Sequence, residues 1–333
     1  MALTPVTRAV AVEEPSQVAQ ARRMGAAIAA DVRLDAERAG RLALVVTESG
    51  TNLLRHAGGG QILLQPGNGH GVAAVEMLAL DRGPGMTNVD RCLEDGYSTA
   101  GGAGTGLGAM RRLSTVFDVY SRPGHGTAIL SRVGEAAARP RVTVNGVCVP
   151  ARGEDRCGDA WDEEPRADGV TILVVDGLGH GPGAADAAAA AVAAFRGARF
   201  EPPARRLELM HAAMRATRGG AAGVADIDLA ARCVRFAGVG NIGAVVVGDG
   251  PPRFLMSHNG TLGHAVRKIA EVTVAWPAHG MLVMYSDGLG TPRELTAYPG
   301  LTERHPSLVA GVLWRDLARG RDDVTVIVAK AAA

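Results

Sequence analysis

Apolar positions along this chain follow two different rhythms, one before and one after residue 141 or so. Residues 5–12 (PVTRAVAV) read as a strand, and 15–33 carry the spacing of an amphipathic helix. A second helix is predicted over 35–56, with Asp35 as its N-cap and Leu42, Val45, Val46 and Leu53 recurring at helical spacing. Two strand-like runs follow, QILLQ and GVAAVEMLAL, and then the turn DRGPGM. A glycine-dense segment, GGAGTGLGAMRRLS, leads into a strand pair within FDVYSRPGHGTAILS, and GEAAARPR (134–141) reads as a linker. Beyond it, short strands (VTVNGVCV, VTILVV, VRFAGVG, GAVVVG, MLVMYS, VTVIVA) surround two helical stretches, 184–195 and 205–218. Many strands with helices set apart predict a sandwich with helices on its outside. The expected fold class is α+β in two domains, 1–133 and 142–330.

Composition narrows the classes without naming one. A chain of 333 residues is long for a single core, which agrees with two domains. With 47% apolar and 21% charged residues it is an ordinary globular protein, not a disordered one. Lys+Arg 35 against Asp+Glu 34 leaves +1, and no basic stripe marks a nucleic-acid partner. Lysines stand only at Lys268 and Lys330, so a phosphate-cradling lysine would have to be one of these. Cys92, Cys148, Cys157 and Cys233 are scattered without a CxxC pair, and buried reduced thiols are the expectation. The N-terminus lacks the apolar run of a signal peptide, and AADAAAAAVAAF is too short to span a bilayer. A cytoplasmic location with no membrane partner is expected.

The tetrapeptide DGLG occurs twice, at 176–179 and 287–290, each time closing an apolar, β-prone run. The flanks do not match, which argues against a repeat. Any one Asp-Gly is accounted for by its turn propensity. Four aspartates at strand ends or tight turns, Asp159, Asp176, Asp287 and Asp322, are harder to explain so, because carboxylates gathered at buried strands repel one another. Divalent cations relieve that repulsion, and oxygen ligands without Cys or His favour Mg²⁺ or Mn²⁺. Two such ions about 3.5–4 Å apart can lower the pKa of a shared water. Gly177 would let its carbonyl approach an ion without a side chain in the way. The two DGLG stretches are read as two walls of one site.

The segments GD, DGLGHGPGAADAA, FAGVGNIGA, YSDGLG and RDDVTVIV, in this order, resemble the SpoIIE/RsbX branch of the metal-dependent PPM serine/threonine phosphatases over about residues 141–330. The resemblance implies a PPM-type α-β-β-α sandwich and a phosphatase with two Mn²⁺ or Mg²⁺ ions. By that likeness Asp176 bridges both ions, Asp287 and Asp322 complete one shell, Asp159 binds directly or through water, and Asp176 and Asp287 are the catalytic carboxylates. Asp323 is the weaker candidate beside Asp322, since neighbouring strand residues face opposite ways. His180 is read as a turn or packing residue and Arg156 as a solvated arginine.

In the first half, Glu48 and Asn52 lie four apart in ALVVTESGTNLLRHAGGG and leave a helix from one face. An Asn amide oxygen is a suitable Mg²⁺ ligand, and a Glu one turn away could deprotonate a nucleophile. Asp81, followed by Gly83 and Gly85, could accept a hydrogen bond from an adenine amino group. Gly104, Gly106 and Gly108 of GTGLGA could cradle phosphates with backbone N–H groups. A Rossmann reading fails because no strand immediately precedes that box, and no Walker A loop is present. The set ExxxN, DxGxG, GxGLG and the late GHGTAI with Thr127 resembles the Bergerat ATP-binding fold of the GHKL superfamily, nearest to RsbT- and RsbW-like switch kinases and anti-sigma factors. It spans about residues 1–133 and implies a mixed sheet covered by helices, holding ATP with Mg²⁺. The expectation is a bacterial switch protein whose first domain phosphorylates, and whose second dephosphorylates, a small STAS-type anti-sigma antagonist or stressosome protein. The alternative keeps the phosphatase and makes the first domain a non-catalytic module for ATP and a partner such as a sigma factor.

Overall fold

A computed structural model describes residues 6–67, 72–94, 106–136, 140–293 and 295–331. Helices and strands alternate in the order β1 (Arg8–Val12), α1 (Pro15–Asp31), α2 (Ala36–Asn52), β2 (Gly60–Pro66), β3 (Ala74–Leu80), α3 (Val89–Cys92), α4 (Gly106–Leu113), β4 (Val116–Ser121) and β5 (Thr127–Gly134). There follow β6 (Val142–Val149), β7 (Asp159–Arg166), β8 (Gly169–Gly177), α5 (Pro182–Gly197), α6 (Pro203–Ala213), β9 (Gly220–Asp228), β10 (Cys233–Val239) and β11 (Gly243–Val247). The chain closes with β12 (Arg253–Leu255), β13 (Glu271–Ala275), β14 (Met281–Tyr285), α7 (Pro306–Leu317) and β15 (Val324–Ala331). The described residues of Thr7–Ala138 and Tyr298–Arg315 form one compact unit, and those of Met1–Val6, Arg139–Ala297 and Asp316–Ala333 the other. The division is therefore not contiguous in sequence: most of α7 packs with the first unit.

The first unit is built on one five-stranded sheet, ordered β1-β2-β3-β5-β4. Every ladder in it is antiparallel, which corrects the expectation of a mixed sheet. The β4–β5 hairpin inserts β5 between β3 and β4, so β3 and β4, which run in the same direction, are not neighbours. Asp35 caps α2 as expected, accepting from the Arg38 backbone N–H at 2.8 Å. The helix gives way at Leu53 to a π-helical turn, Leu53–Ala57, that Gly58 closes. Leu42, Val45, Val46 and Leu53 pack against Val75, Met77 and Ala79 of β3.

Strand β3 is buried along its whole length, so both faces need a cover. Its other face carries Leu78 and Leu80, and there α7 docks: a methyl group on Gly311 would lie 3.1 Å from Leu78 Cδ1. Helix α7 is buried from Pro306 through Trp314, a stretch whose only polar side chain is Ser307. Glu76, on that same face, is 1% exposed and pairs with Arg132 at 2.6 Å while accepting from Gln65 Nε2 at 3.0 Å. Burial by itself raises the pKa of such a carboxyl; the Arg132 and His305 charges outweigh it and hold Glu76 below its ordinary range. Removing one partner of a buried pair strands the other charge. Arg132→Met should therefore cost about 3–5 kcal/mol in urea unfolding, against a small change for an exposed pair.

The second unit holds two antiparallel sheets, β13-β10-β9-β8-β7 and β12-β11-β14-β15-β6. Strand β8 explains the layering. Its apolar run splits by parity, with Val170, Ile172 and Val174 entering the core between the sheets. Leu173 and Val175 point the other way, into a second core against Ala187, Ala191 and Phe195 of α5 and Leu207 and Met210 of α6. Asp176 is the next position on the inter-sheet face, at the end of the sandwich.

Candidate functional site

Two polar clusters hold the residues singled out by sequence. In the second unit, Asp159 and Asp176 are directly paired across β7 and β8. Asp287 follows β14 and Asp322 precedes β15, so both sheets contribute acids to the same end of the sandwich. Asp176, Gly179, Asn241, Asn259, Asp287 and Asp322 line one open cleft of about 430 Å³. Asp323 does not share in it. Its buried carboxylate accepts from the backbone N–H groups of Ala151 at 2.8 Å and Gly158 at 2.9 Å, pinning the loop that leads into Asp159. At Gly177 a Cβ would lie 2.2 Å from the Ala184 carbonyl oxygen, so the start of α5 seats against bare backbone.

Charge crowding dominates the cleft. Asp159 is 3% exposed, and both its carboxylate oxygens are buried without a hydrogen-bond partner among the described residues. Burial, and next the Asp176 carboxylate, push its pKa well above the usual carboxylate range. Burial and then the charges of Asp287 and Asp322 push Asp176 up to about 7. A buried acid this poorly satisfied among the described residues, beside a second acid that resists ionising, is the arrangement that a divalent cation satisfies. The residues thus fit a Mg²⁺ or Mn²⁺ site. Among the described residues no three acid, thiol or imidazole groups converge enough to cage an ion unaided, so water or backbone carbonyls would complete a shell, as Mg²⁺ commonly requires.

Asn241, between β10 and β11, is a residue that sequence reasoning passed over. Its Nδ2 donates to Asp287 Oδ2 at 2.6 Å and lies 3.3 Å from Asp176 Oδ2, tying acids from the two sheets together. The available signal was a lone amide in the otherwise apolar FAGVGNIGA. His180 is exposed and bonds Glu154 through Nδ1 at 2.7 Å, and Arg156 pairs with Asp186 at 2.8 Å. Two of the four cysteines are not scattered: Cys148 and Cys157 are buried with their sulfurs 3.5 Å apart.

In the first unit, Glu48 and Asn52 sit half-buried one turn apart near the end of α2. The start of α4 is brought over them: a Cβ on Gly106 would lie 3.4 Å from Glu48 Oε2 and 3.8 Å from both amide atoms of Asn52. Gly108 is buried two residues on, while Gly104 lies outside the described residues. Asp81 Oδ1 accepts from the N–H of Gly83 at 2.8 Å and of Thr127 at 3.1 Å, which fixes the carboxyl plane. Oδ2 has no hydrogen bond among the described residues. Burial raises the pKa of Asp81 despite those two donors. Gly85 has φ +69° and its Cβ would fall 2.1 Å from the Arg122 carbonyl oxygen, so the DxGxG turn admits only glycine there. Arg315 of α7 donates to the Asp81 carbonyl oxygen at 2.7 Å.

Comparison with known proteins separates the same two halves. Residues 11–132 match the histidine kinase-like ATPase domain family, and residues 166–332 match stage II sporulation protein E (SpoIIE). The serine/threonine-protein kinase RsbT of Bacillus subtilis is 32% identical over 112 residues, covering 34% of this chain and 84% of that protein. A structure from work on the bacterial stressosome as a modular system adapted to control secondary messenger signalling is similar at 25% identity, with a TM-score of 0.52 over 58% of this chain and 100% of that one. The structure of RsbX in complex with magnesium shares the fold at 20% identity, with a TM-score of 0.53 over 60% of this chain and 99% of that one. The chain thus joins a histidine kinase-like ATPase domain to a SpoIIE domain. With the SpoIIE match spanning half of its 333 residues, this chain belongs to the SpoIIE family.

Proposed function

We propose that the chain sets the serine phosphorylation of a small STAS-domain partner, an anti-sigma antagonist or stressosome protein, adding phosphate with one unit and removing it with the other. One observation carries the phosphatase half: Asp159, its buried carboxylate poorly satisfied among the described residues, is paired across the strands with Asp176, which shares a cleft with Asp287 and Asp322. Asp159, Asp176, the Gly177 carbonyl, Asp287 and Asp322 would hold two Mn²⁺ or Mg²⁺ ions. When bound, such ions supply a water of lowered pKa and counter-charge for phosphoryl oxygens. The protein's own part is positional. Asn241 holds Asp176 and Asp287 within reach of one amide, and Asp323 fixes the backbone that presents Asp159.

In the first unit, Asp81 Oδ2 accepts the adenine amino hydrogen, and Gly83 and Gly85 admit the ring. The glycines at 104, 106 and 108 would offer N–H groups to the phosphates, the Thr127 N–H holds Asp81 in place, and the Asn52 amide oxygen would hold the nucleotide's Mg²⁺. Glu48 accepts the proton of the partner's serine hydroxyl as its oxygen bonds the γ-phosphorus and ADP leaves. The likeness to a protein named a serine/threonine kinase supports this transfer over bare binding. The test incubates the chain with ATP, Mn²⁺ and STAS-domain proteins from neighbouring genes, and follows phosphate in both directions by mass spectrometry. Phosphate entering and leaving one serine is expected. A phosphoserine partner left untouched in Mn²⁺ would refute the phosphatase half.

The adenine contact has its own test. Asp81→Asn can keep both backbone bonds through its Oδ1 but turns an N–H₂ toward the adenine amino group. Loss of a charged hydrogen bond corresponds to roughly a 10- to 100-fold weaker affinity for ATP. Calorimetric titration of the full chain should find that loss together with lost discrimination against GTP. Equal ATP affinity in variant and wild type would remove Asp81 from the site.

A further inference from the structure

Between β6 and β7 the chain makes a loop, and one buried carboxylate gathers its two ends. Asp323 accepts from the Ala151 N–H near the start of the loop and from the Gly158 N–H at its close. Arg152, Gly153, Asp155 and Arg156 are exposed, but the two cysteines that bracket them are turned inward. Cys148 is 0% and Cys157 6% exposed, and their sulfurs are in contact at 3.5 Å.

Both cysteines border the backbone that carries Asp159. Cys148 Sγ lies 3.6 Å from the Asp159 carbonyl oxygen, and Cys157 stands two residues before Asp159. Gly158, between Cys157 and Asp159, is tightly held. Its N–H goes to Asp323, its carbonyl oxygen accepts from the Gly177 N–H at 3.0 Å, and a Cβ on it would lie 2.7 Å from Ala184 Cβ. Cys148 is fixed in turn by the ladder of β6 with β15, where it faces Thr325. A disulfide needs its sulfurs about 2.0 Å apart, so the present 3.5 Å has to shorten. Because β6 is bonded along its ladder, the displacement falls on residues 157–159 and reaches Gly177 through Gly158.

We propose that Cys148 and Cys157 form a peroxide-driven disulfide switch, whose oxidised state displaces the Asp159 backbone and weakens the hold of the acidic cleft on divalent cations. The consequence for hydrolysis rests on the phosphatase reading above. Buried sulfur excludes bulky oxidants, which leaves a small peroxide, and Cys157 beside the exposed Arg156 is the nearer to solvent. The Cys157 sulfur takes one peroxide oxygen, giving a sulfenic acid and one water. The Cys148 sulfur then displaces that oxygen, which leaves as a second water. Two thiols lose two electrons in all, and one peroxide gains them. A thiol reductant reverses the change.

The test treats the full metal-free chain with hydrogen peroxide, removes the oxidant, and divides the sample before adding dithiothreitol to one half. Trypsin cuts after Arg141, Arg152, Arg156 and Arg166, so the disulfide would join peptides 142–152 and 157–166 in a mass spectrum. The oxidised half should show that pair, a calorimetric Mn²⁺ affinity lower by roughly 10- to 100-fold, and slower hydrolysis of p-nitrophenyl phosphate. Dithiothreitol should restore all three. Cys157→Ser, which keeps a hydroxyl donor in place of the thiol, should bind Mn²⁺ as the reduced wild type does and ignore peroxide. Should that variant fail to fold, Cys148→Ala is expected to behave in the same way. Absence of the joined peptides would overturn the proposal, as would a disulfide that leaves Mn²⁺ affinity unchanged or an equal loss in a folded single-cysteine variant. A reversible disulfide that lowers Mn²⁺ affinity in a chain that hydrolyses nothing even when reduced would uphold the switch and refute the phosphatase reading instead.

Discussion

Asp176→Asn is expected to abolish Mn²⁺-dependent hydrolysis of a phosphoserine substrate, by about 100-fold or more, and at the same time to stabilise the metal-free protein at neutral pH. The activity loss follows because a neutral amide holds a divalent cation far more weakly than a carboxylate does. The stability gain has the opposite origin. Asp176 carries a pKa of about 7 in the folded chain, against an ordinary 3.8, because burial and then Asp287 and Asp322 oppose its charge. Between these two values the folded state holds a proton that the unfolded state has released. Stability contributed by the protonated carboxyl is complete below the lower value and is lost as pH rises through the upper one. Asparagine has no proton to lose, so its melting temperature in EDTA should fall less between pH 5 and pH 8 than that of the wild type. Mn²⁺ should restore the wild type at pH 8, since the ions favour the ionised form. His180→Ala should change turnover far less, its ring being bonded to Glu154 on an exposed surface. Near-normal turnover in Asp176→Asn with metal still bound would sink the assignment.

Glu48→Ala and Asp287→Asn should move a partner's phosphorylation in opposite directions. With both activities in one chain, the steady-state phosphorylated fraction is the ratio of two rates. Glu48→Ala removes the base but leaves Asn52 and Asp81, so ATP still binds while label entering the serine falls. Asp287→Asn removes a carboxylate from the acidic cleft of the other unit. It turns the bond now made by Asn241 Nδ2 to Asp287 Oδ2 into an amide–amide contact, and label accumulates. The two residues share no ligand, so their effects should be separable. Radiolabelled ATP with the cognate STAS protein reads both. If Asp287→Asn leaves that partner unlabelled, phosphate is not transferred by the first unit, and ATP binding there serves another purpose.

Much of this was legible in the sequence because it is written in local chemistry. The Asp35 cap, the apolar stripe of α2 and the run of β8 follow from spacing alone, and the Asp-Gly pairs placed acids at strand ends. The strands β7 and β9 were not legible. DAWDEEPR is acidic and GAAGVADID is rich in glycine and alanine, and neither has the β-branched composition of an isolated strand. They become strands because the ladders on either side of β8 require partners. Helix α7 escaped for a related reason: apolar from Leu308 to Trp314 without interruption, it shows no clear alternation of apolar and polar faces, and the uncovered face of β3 gives it a place. The meeting of Asn241 with Asp176 and Asp287, and of Gly106 with Glu48, depends on pairings between distant strands and helices. Sequence sets which residue types can bear charge or bind a phosphate. Long-range pairing, which no local pattern encodes, decides which of them meet.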